Sequence, residues 1–422
     1  MIEQLGSSQE EPLRRGFLFA CTDDSERECL GRLLFAAEKS YGPVVIRVRR
    51  GDILFLDNID TDVLHGPFRA VSDGSVDIQE SAFGGKYRYQ VKVESLGRVA
   101  RVAGAKRVLR MFGLERNKPI FRDKLVGLLG ILQSEWQKGG LVSQQELSPF
   151  ADALADEIEA IRHSTAEVDI EEEIPMIEAT TFWDFPKQSY GLTPKGDNRY
   201  AGVTPALIIF NMIWRYTEPG ELVVDPMAGS GTTIDVCRAE KRRAIGYDIH
   251  STRPDIITND AREIPLEDES VDMVFIDSPY GDNIRYNEEA QNIGNISSES
   301  EEFYDQLEKV MRESHRILSK GKVLGWLIGD QWVKKRFTPV GMKIYERLCR
   351  YFEPVDIVCV SRRNQSSNTG VWQNRARRFN FYLRGFKYLI IVRKTVGKRI
   401  PERPRSVRWA RYARDGSATH EH

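Results

Sequence analysis

The 422-residue sequence predicts an α/β protein with a doubly wound, mostly parallel sheet in its C-terminal half, preceded by a smaller β-rich unit and a helical connector. Three observations predict it. After about Thr180, short apolar runs alternate with amphipathic ones, as in a parallel sheet covered by helices. A glycine-rich turn, VVDPMAGSGTT at 223–233, directly follows the first of these runs. Residues 16–94 instead carry short apolar or alternating stretches, which read as strands.

In order along the chain, GFLFACT and PVVIRVRRGDILFLDN read as strands, with a helix over SERECLGRLLFAA between them. HGPFRAVS and KYRYQVKVES complete the β-rich unit. Residues 100–165 read as helices: KLVGLLGILQSEW, then SPFADALADEIEAIRHS with Ser148 as its cap. An acidic stretch to Pro175 reads as a linker or exposed helix. TPALIIFNMIWRYT is helical, ELVVD a buried strand, TTIDVCRAEK a helix, and RAIGYDI, DIITND and VDMVFID strands. A long amphipathic helix, SEEFYDQLEKVMRESHRILS, precedes the strand KVLGWLIG, the helix MKIYERLCRYF and the strands VDIVCVS and FKYLIIVRK. The domain boundaries expected are 1–97, 98–175, 176–396 and a basic tail at 397–422.

Composition narrows the function. A net charge of −1 excludes a globally basic nucleic-acid binder, but charge is uneven. Arg393 to Arg414 holds nine basic residues and one acid, with Trp409 and Tyr412 interleaved, and a second basic stretch runs from Arg98 to Lys124. Such patches suit phosphate contact or a solvated surface. Five scattered cysteines without a CxxC pair, and six histidines without ligand spacing, point to neither a disulfide framework nor a metal site. No apolar run is long enough to span a bilayer and no signal-peptide core is visible, so no membrane association and a cytoplasmic location are expected.

In a doubly wound sheet, ligands bind beyond the carboxyl ends of the strands. There Asp225 ends a strand, Pro226, Met227 and Ala228 lead into the turn, Gly229, Ser230 and Gly231 form it, and Thr232 opens a helix. No Lys follows the glycines, so this is not a P-loop, and the spacing departs from the dinucleotide GxGxxG. A carboxylate just before the glycines would repel a pyrophosphate and suits a cationic ligand such as the amino-acid end of S-adenosylmethionine. Asp248, 17 residues past Gly231, ends the next strand, where an acid can hold a ribose diol. Asp260 ends the third, where an acid can accept from an adenine amine. Any one of these acids reads equally as a cap or turn residue. Acids at three successive strand ends make a site.

VFIDSPYGD ends the fourth strand, 52 residues after Asp225. An exocyclic base amine is a poor nucleophile because its lone pair is delocalised. The Asp277 carboxylate and the Ser278 carbonyl can accept its two hydrogens and stabilise developing positive charge. Pro279 stiffens the turn, and Tyr280 can stack on a base drawn out of its helix.

With these residues the sequence resembles the S-adenosylmethionine-dependent amino-methyltransferases of DNA. DPMAGSGTT at 225–233 is similar to their cofactor motif, with Met227 in place of Phe, and DSPY at 277–280 is similar to their catalytic tetrapeptide, with Ser278 in place of Pro. The segment before the first strand resembles their additional cofactor-binding element, carried here by Thr204 and Pro205. The resemblance covers about 180–395 and implies a Rossmann-like methyltransferase sheet, S-adenosyl-L-methionine as cofactor and nucleic acid as partner. First-position Asp is typical of adenine N6 members, while YGDNIRY is similar to the extension of the motif in several cytosine N4 members, which slightly favours cytosine. A cysteine-nucleophile enzyme is excluded, because no cysteine follows a proline.

GFLFACTDDSERECLGRLLF and GDILFLDNIDTDVLHGPFRA resemble the PUA-like superfamily, especially its DCD and EVE branches, which implies a small β-barrel. Several relatives bind RNA or a flipped base. Phe17, Phe19, Phe55 and Phe68 read as barrel core ahead of a base cage. DNA is favoured by the motif wording and RNA by the barrel. Residues 281–300 and the 362–380 loop are the expected recognition segments. Two alternatives stay open: a catalytically inactive reader, and methylation of a protein glutamine or small molecule.

Overall fold

A computed structural model describes residues 15–138, 144–163, 174–280, 292–333, 336–363 and 370–395, except 198, 201 and 252. The acidic stretch at 164–173, residues 281–291 and 364–369 of the expected recognition segments, and the basic tail lie outside the described residues.

The N-terminal unit contains β1 (Gly16–Cys21), α1 (Asp23–Arg32), β2 (Leu34–Ala37), α2 (Gly42–Val45), β3 (Ile53–Asn58), β4 (Val63–Ala70), β5 (Ser75–Val76) and β6 (Tyr89–Ala103). Among the described residues these strands form a six-stranded sheet in the order β1-β3-β4-β6-β2, with β5 also on β6. The sheet curls because β6 is shared: its first residues pair with β2 and its remainder with β4. Phe19 on one edge strand meets Phe35 on the other at 5.7 Å, so the sheet closes almost into a barrel.

Strand alternation divides this barrel between two cores. Phe17, Phe19, Leu54 and Leu56 face a core that continues into the C-terminal unit. Leu18, Ile53 and Phe55 face the connector helices α3 (Ala105–Met111), α4 (Arg122–Lys138) and α5 (Gln144–His163). Strands buried on both faces lose the alternating pattern, which is why these runs look apolar throughout. Phe17, Phe55 and Phe68 are fully buried and Phe19 nearly so, so they are core.

Four sequence expectations differ from the structure here. The helix over SERECLGRLLFAA ends at Arg32; Leu33 adopts a left-handed cap conformation and LFAA pairs with β6 as a strand. PVVIRV is no strand: Pro43 lies in the first turn of the one-turn helix α2, whose Val44 and Val45 are buried. Ser148 is no cap, because α5 begins at Gln144. The last barrel strand also runs to Ala103, beyond the expected boundary at 97.

The C-terminal unit contains β7 (Phe182–Trp183), α6 (Ala206–Tyr216), β8 (Leu222–Asp225), α7 (Thr232–Ala239), β9 (Arg243–Asp248), β10 (Ile256–Thr258), β11 (Val271–Asp277), α8 (Glu301–Ile317), β12 (Leu318–Ile328), β13 (Gln331–Val333), β14 (Arg336–Thr338), α9 (Val340–Leu348), β15 (Glu353–Ser361), α10 (Gly370–Arg378) and β16 (Phe386–Arg393). Among the described residues it is an eight-stranded sheet, β10-β9-β8-β11-β12-β16-β15-β7, with β13 and β14 as a separate hairpin. Only β16 runs antiparallel to its neighbours in this sheet. Val223, Met273 and Phe275 pack toward α6 and α7, while Val224, Val274 and Ile276 pack toward α8 and α9. The doubly wound sheet expected from the sequence is therefore present. The dipeptide strand β7, the β13–β14 hairpin and α10 were not expected; α10 occupies much of the predicted 362–380 loop.

Barrel and sheet are joined by a buried carboxylate. Glu240, at the C-terminal cap of α7, is fully buried. It accepts from Arg47 at 2.8 Å, Tyr190 Oη at 2.8 Å and Trp214 Nε1 at 2.9 Å. Arg47 belongs to the barrel unit and the other two to the sheet unit. Around this centre Gly42 packs so closely on Trp214 that a Cβ would lie 2.5 Å from its ring. Removing one partner of a buried ion pair strands the other in low dielectric. Glu240→Ala is therefore expected to lower the unfolding free energy by about 3–5 kcal/mol, measured by urea denaturation with fluorescence detection.

Candidate active site

The parallel register sets the site. Val223 and Val224 of β8 pair with Met273 and Val274 of β11, and Asp225 pairs with Gly246 of β9. Asp248 in turn pairs with Thr258 of β10. The carboxyl ends of four neighbouring strands thus converge, and Asp225, Asp248, Asp260 and Asp277 line one cavity of about 210 Å³. Pro226, Met227, Ala228, Gly229, Ser230 and Thr232 line it too, as does Thr204.

Local chemistry explains the turn. Gly229 (φ +48°) and Gly231 (φ +80°) adopt left-handed backbone that favours glycine. A Cβ on Gly229 would crowd the Tyr200 ring at 3.1 Å, and one on Gly231 would meet Arg253 at 2.5 Å. Arg253 braces the outside of the turn by donating to the Ser230 carbonyl and pairing with Asp235 at 2.8 Å.

The four carboxylates are held differently. Asp225 accepts from Thr233 Oγ1 at 2.5 Å and from the Met227 amide at 3.0 Å. Burial pushes its carboxyl up to about 7 against those hydrogen bonds, with Asp248 and Asp277 adding to the shift. Asp248 accepts from the amides of Gly229 (2.9 Å) and His250 (3.0 Å), and burial raises it as well. Burial acts on Asp260 in the same direction, but hydrogen bonds from Arg262, paired at 2.5 Å, hold it below the usual carboxylate range. Asp277 accepts from Thr204 Oγ1 at 2.7 Å and from Lys387 Nζ at 2.9 and 3.0 Å.

The other predicted residues divide between the cavity and its surroundings. Thr204 lines the cavity but its hydroxyl serves Asp277, while Pro205 caps α6 and is not in the lining. Gly231 caps α7 behind the turn, also outside the lining. Ser278 is buried and its hydroxyl accepts from Trp326 Nε1 at 3.0 Å, so its side chain faces the core. Pro279 lines the cavity. Tyr280 lies beside it, with Arg362 donating to its hydroxyl at 3.1 Å and Lys387 5.5 Å from its ring centre.

Sequence reasoning missed Lys387, Tyr200, His250 and Arg262. Tyr200 sits over the glycine turn; burial, then Asp248, Asp277 and Asp225, push its phenol up to about 12. Lys387 belongs to the second position of β16, where it reads as an ordinary flank of an apolar strand. Its tertiary signal is the antiparallel return of β16 beside β12.

Residues 15–104 match the family model of the Development and cell death domain, and residues 144–259 match that of the DNA methylase family. The second match includes the glycine turn and Asp248 and ends before Asp260 and the 277–280 turn. A DCD domain-containing protein NRP of Arabidopsis thaliana is 34% identical over 88 residues, 20% of this chain and 25% of that protein. The B2 protein of Daucus carota is 38% identical over 68 residues, 16% of this chain and 33% of that protein. The chain thus spans a quarter to a third of the length of these relatives, within its barrel unit. A proposed DNA modification methylase of Thermus thermophilus, solved with S-adenosyl-L-methionine, is 25% identical across 34% of this chain and 57% of that one, with a TM-score of 0.23. The [4+2]-cyclase SpnF covers 48% of this chain and 86% of its own at 17% identity and a TM-score of 0.32.

Because Asp225 holds its proton more tightly when folded, the stabilisation from that proton is full below about pH 3.8 and is lost as pH rises through about 7. Asp225→Asn removes this dependence. The stability gap between variant and wild-type unliganded protein should widen from about pH 4 to pH 8 in favour of the variant, by at most about 4 kcal/mol, in denaturation series at each pH.

Proposed function

We propose that this protein is an S-adenosylmethionine-dependent methyltransferase acting on the exocyclic amine of a nucleic-acid base, cytosine N4 or adenine N6, with DNA as the favoured substrate. One observation carries the reading: the glycine turn after β8 and the Asp-Ser-Pro-Tyr turn after β11 open onto one cavity from adjacent strands. The match of residues 144–259 to the DNA methylase family supports the same reading.

The residues present fit the cofactor. Among the described residues, Asp225 and Asp248 are bonded by hydroxyl and amide donors and by no cationic side chain, which suits a cationic ligand and a ribose diol. Asp260 and its backbone neighbours suit an adenine edge. The close packing of Tyr200 on Gly229 gives the turn a flat cover. S-adenosylmethionine supplies an electrophilic methyl group.

The protein's part is to make the amine nucleophilic. Asp277 and the Ser278 carbonyl accept its two hydrogens, drawing the nitrogen lone pair out of conjugation. Thr204 and Lys387 fix the Asp277 carboxylate from the other side, so its orientation does not depend on substrate. A carboxylate has about four acceptor sites, so these two donors leave room for the amine. The Asp277 carboxylate takes the surplus proton. Pro279 keeps the turn free of a competing main-chain N–H donor. Tyr280, with its hydroxyl held by Arg362, presents a ring for the extracted base.

The test is methyl transfer from labelled S-adenosylmethionine to duplex DNA, total RNA and ribosomal subunits, with nucleoside mass spectrometry on the labelled pool. N4-methylcytosine or N6-methyladenine in DNA is expected. Label confined to RNA would transfer the activity to RNA, and no label in any pool would overturn the reading. Asp277→Ala should abolish turnover while S-adenosylmethionine still binds; full activity in that variant would remove the assigned catalytic site. Lys387→Met should lower turnover by about 10- to 100-fold through misplacement of Asp277, with cofactor affinity unchanged by titration calorimetry.

A further inference from the structure

Beside the cavity lies a surface that the reaction does not use. It is built by the β13–β14 hairpin, α10 and the segment leading into β16. Within it, residues 370–386 have no acidic residue and four arginines, Arg375, Arg377, Arg378 and Arg384. Large apolar rings stand exposed on the same surface: Tyr382 is 84% exposed and Phe379 64%, and Phe337, Trp372 and Phe386 are exposed as well.

These groups form one patch. Trp332 of the hairpin stacks on Phe381 at 6.0 Å and 11°. The guanidinium of Arg384 lies 5.1 Å from the Phe337 ring. Arg375 sits 5.1 Å from Trp372, and Arg378 5.4 Å from Phe379. The Phe381 amide donates to the Ala376 carbonyl, which ties the segment to α10. The Arg362 amide donates to Gly385, while its side chain reaches Tyr280. The patch is therefore continuous with the catalytic turn.

We propose that this surface binds unpaired DNA on either side of the target base, so that the preferred substrate is single-stranded or locally opened DNA. The inference rests on the methyltransferase reading, from which it takes DNA as the occupant. Charge selects a polyanion: Arg375, Arg378 and Arg384, set among the exposed rings, attract phosphates. The rings select its pairing state. Exposed aromatic faces gain from stacking only on bases whose own faces are free, which a duplex does not offer. Arginines beside the rings keep them solvated and leave guanidinium planes for phosphate or base contact. A base in an unpaired strand also reaches the Asp277 turn without the cost of extrusion.

The test uses the full chain and fluorescein-labelled DNA about twelve nucleotides long, within the span such sites cover. Anisotropy titrations compare the single strand, the same sequence as duplex, and the same sequence as single-stranded RNA. Single-stranded DNA is expected to bind at least about tenfold more tightly than the duplex, and Tyr382→Ala and Phe379→Ala each to lose about fivefold or more of that affinity. Both variants should keep their circular dichroism spectrum and S-adenosylmethionine affinity. Tighter binding of duplex or of RNA, or unchanged affinity in the ring variants, overturns the proposal. Ring-dependent binding of single-stranded DNA by a wild-type protein that methylates no nucleic acid would support the surface and sink the enzyme reading. Methylation that the ring variants leave untouched, with unchanged binding, would do the reverse.

Discussion

Strand β8 pairs with β9 on one side and β11 on the other, and its four residues carry the rest of the site. Val223 faces one helical layer and Val224 the other, so the strand is anchored by packing on both sides of the sheet. Parallel pairing then sets where the carboxyl end of each neighbour falls. A one-residue slip would turn every side chain to the opposite layer. The convergence of four aspartates at one end comes from the same register that buries the valines.

That convergence has an energetic consequence. Burial, with smaller contributions from Asp248 and Asp277, raises Asp225 to about 7. The fold offsets the cost locally, by one hydroxyl and one amide on Asp225, two amides on Asp248, Arg262 on Asp260 and Lys387 on Asp277. Among the described residues, the two aspartates with a cationic partner are those at the outer positions of the group, on β11 and beyond β10. A cationic ligand beside the inner two would favour their ionised forms against burial.

The barrel is part of the same body. Its inward side chains share a continuous apolar cluster with α6, β8 and β11, and Glu240 collects donors from both units. A surface on the barrel is thereby held in constant relation to the catalytic cavity. The connector helices cover the barrel's other face at β1 and β3, so those two strands are buried on both faces.

Local chemistry made much of this legible. The strand–turn–helix at 222–239, the acids at successive strand ends and the 277–280 turn each depend on residues close in sequence, and the cofactor reading came from the charge before the glycines. Alternation of short strands and helices determined the doubly wound sheet, because period and length are intrinsic to the chain. The features that the tertiary structure alone decided depend on long-range pairing. PVV joined a one-turn helix and LFAA became a strand because burial on all sides erases periodicity and the partner strand β6 chose the register. Thr204, just before α6, turned to Asp277, and Ser278, just after β11, turned to Trp326, since side-chain direction outside regular structure depends on its packing neighbours. Lys387 reached the catalytic carboxylate, 110 residues away in sequence, only because β16 returns antiparallel next to β12.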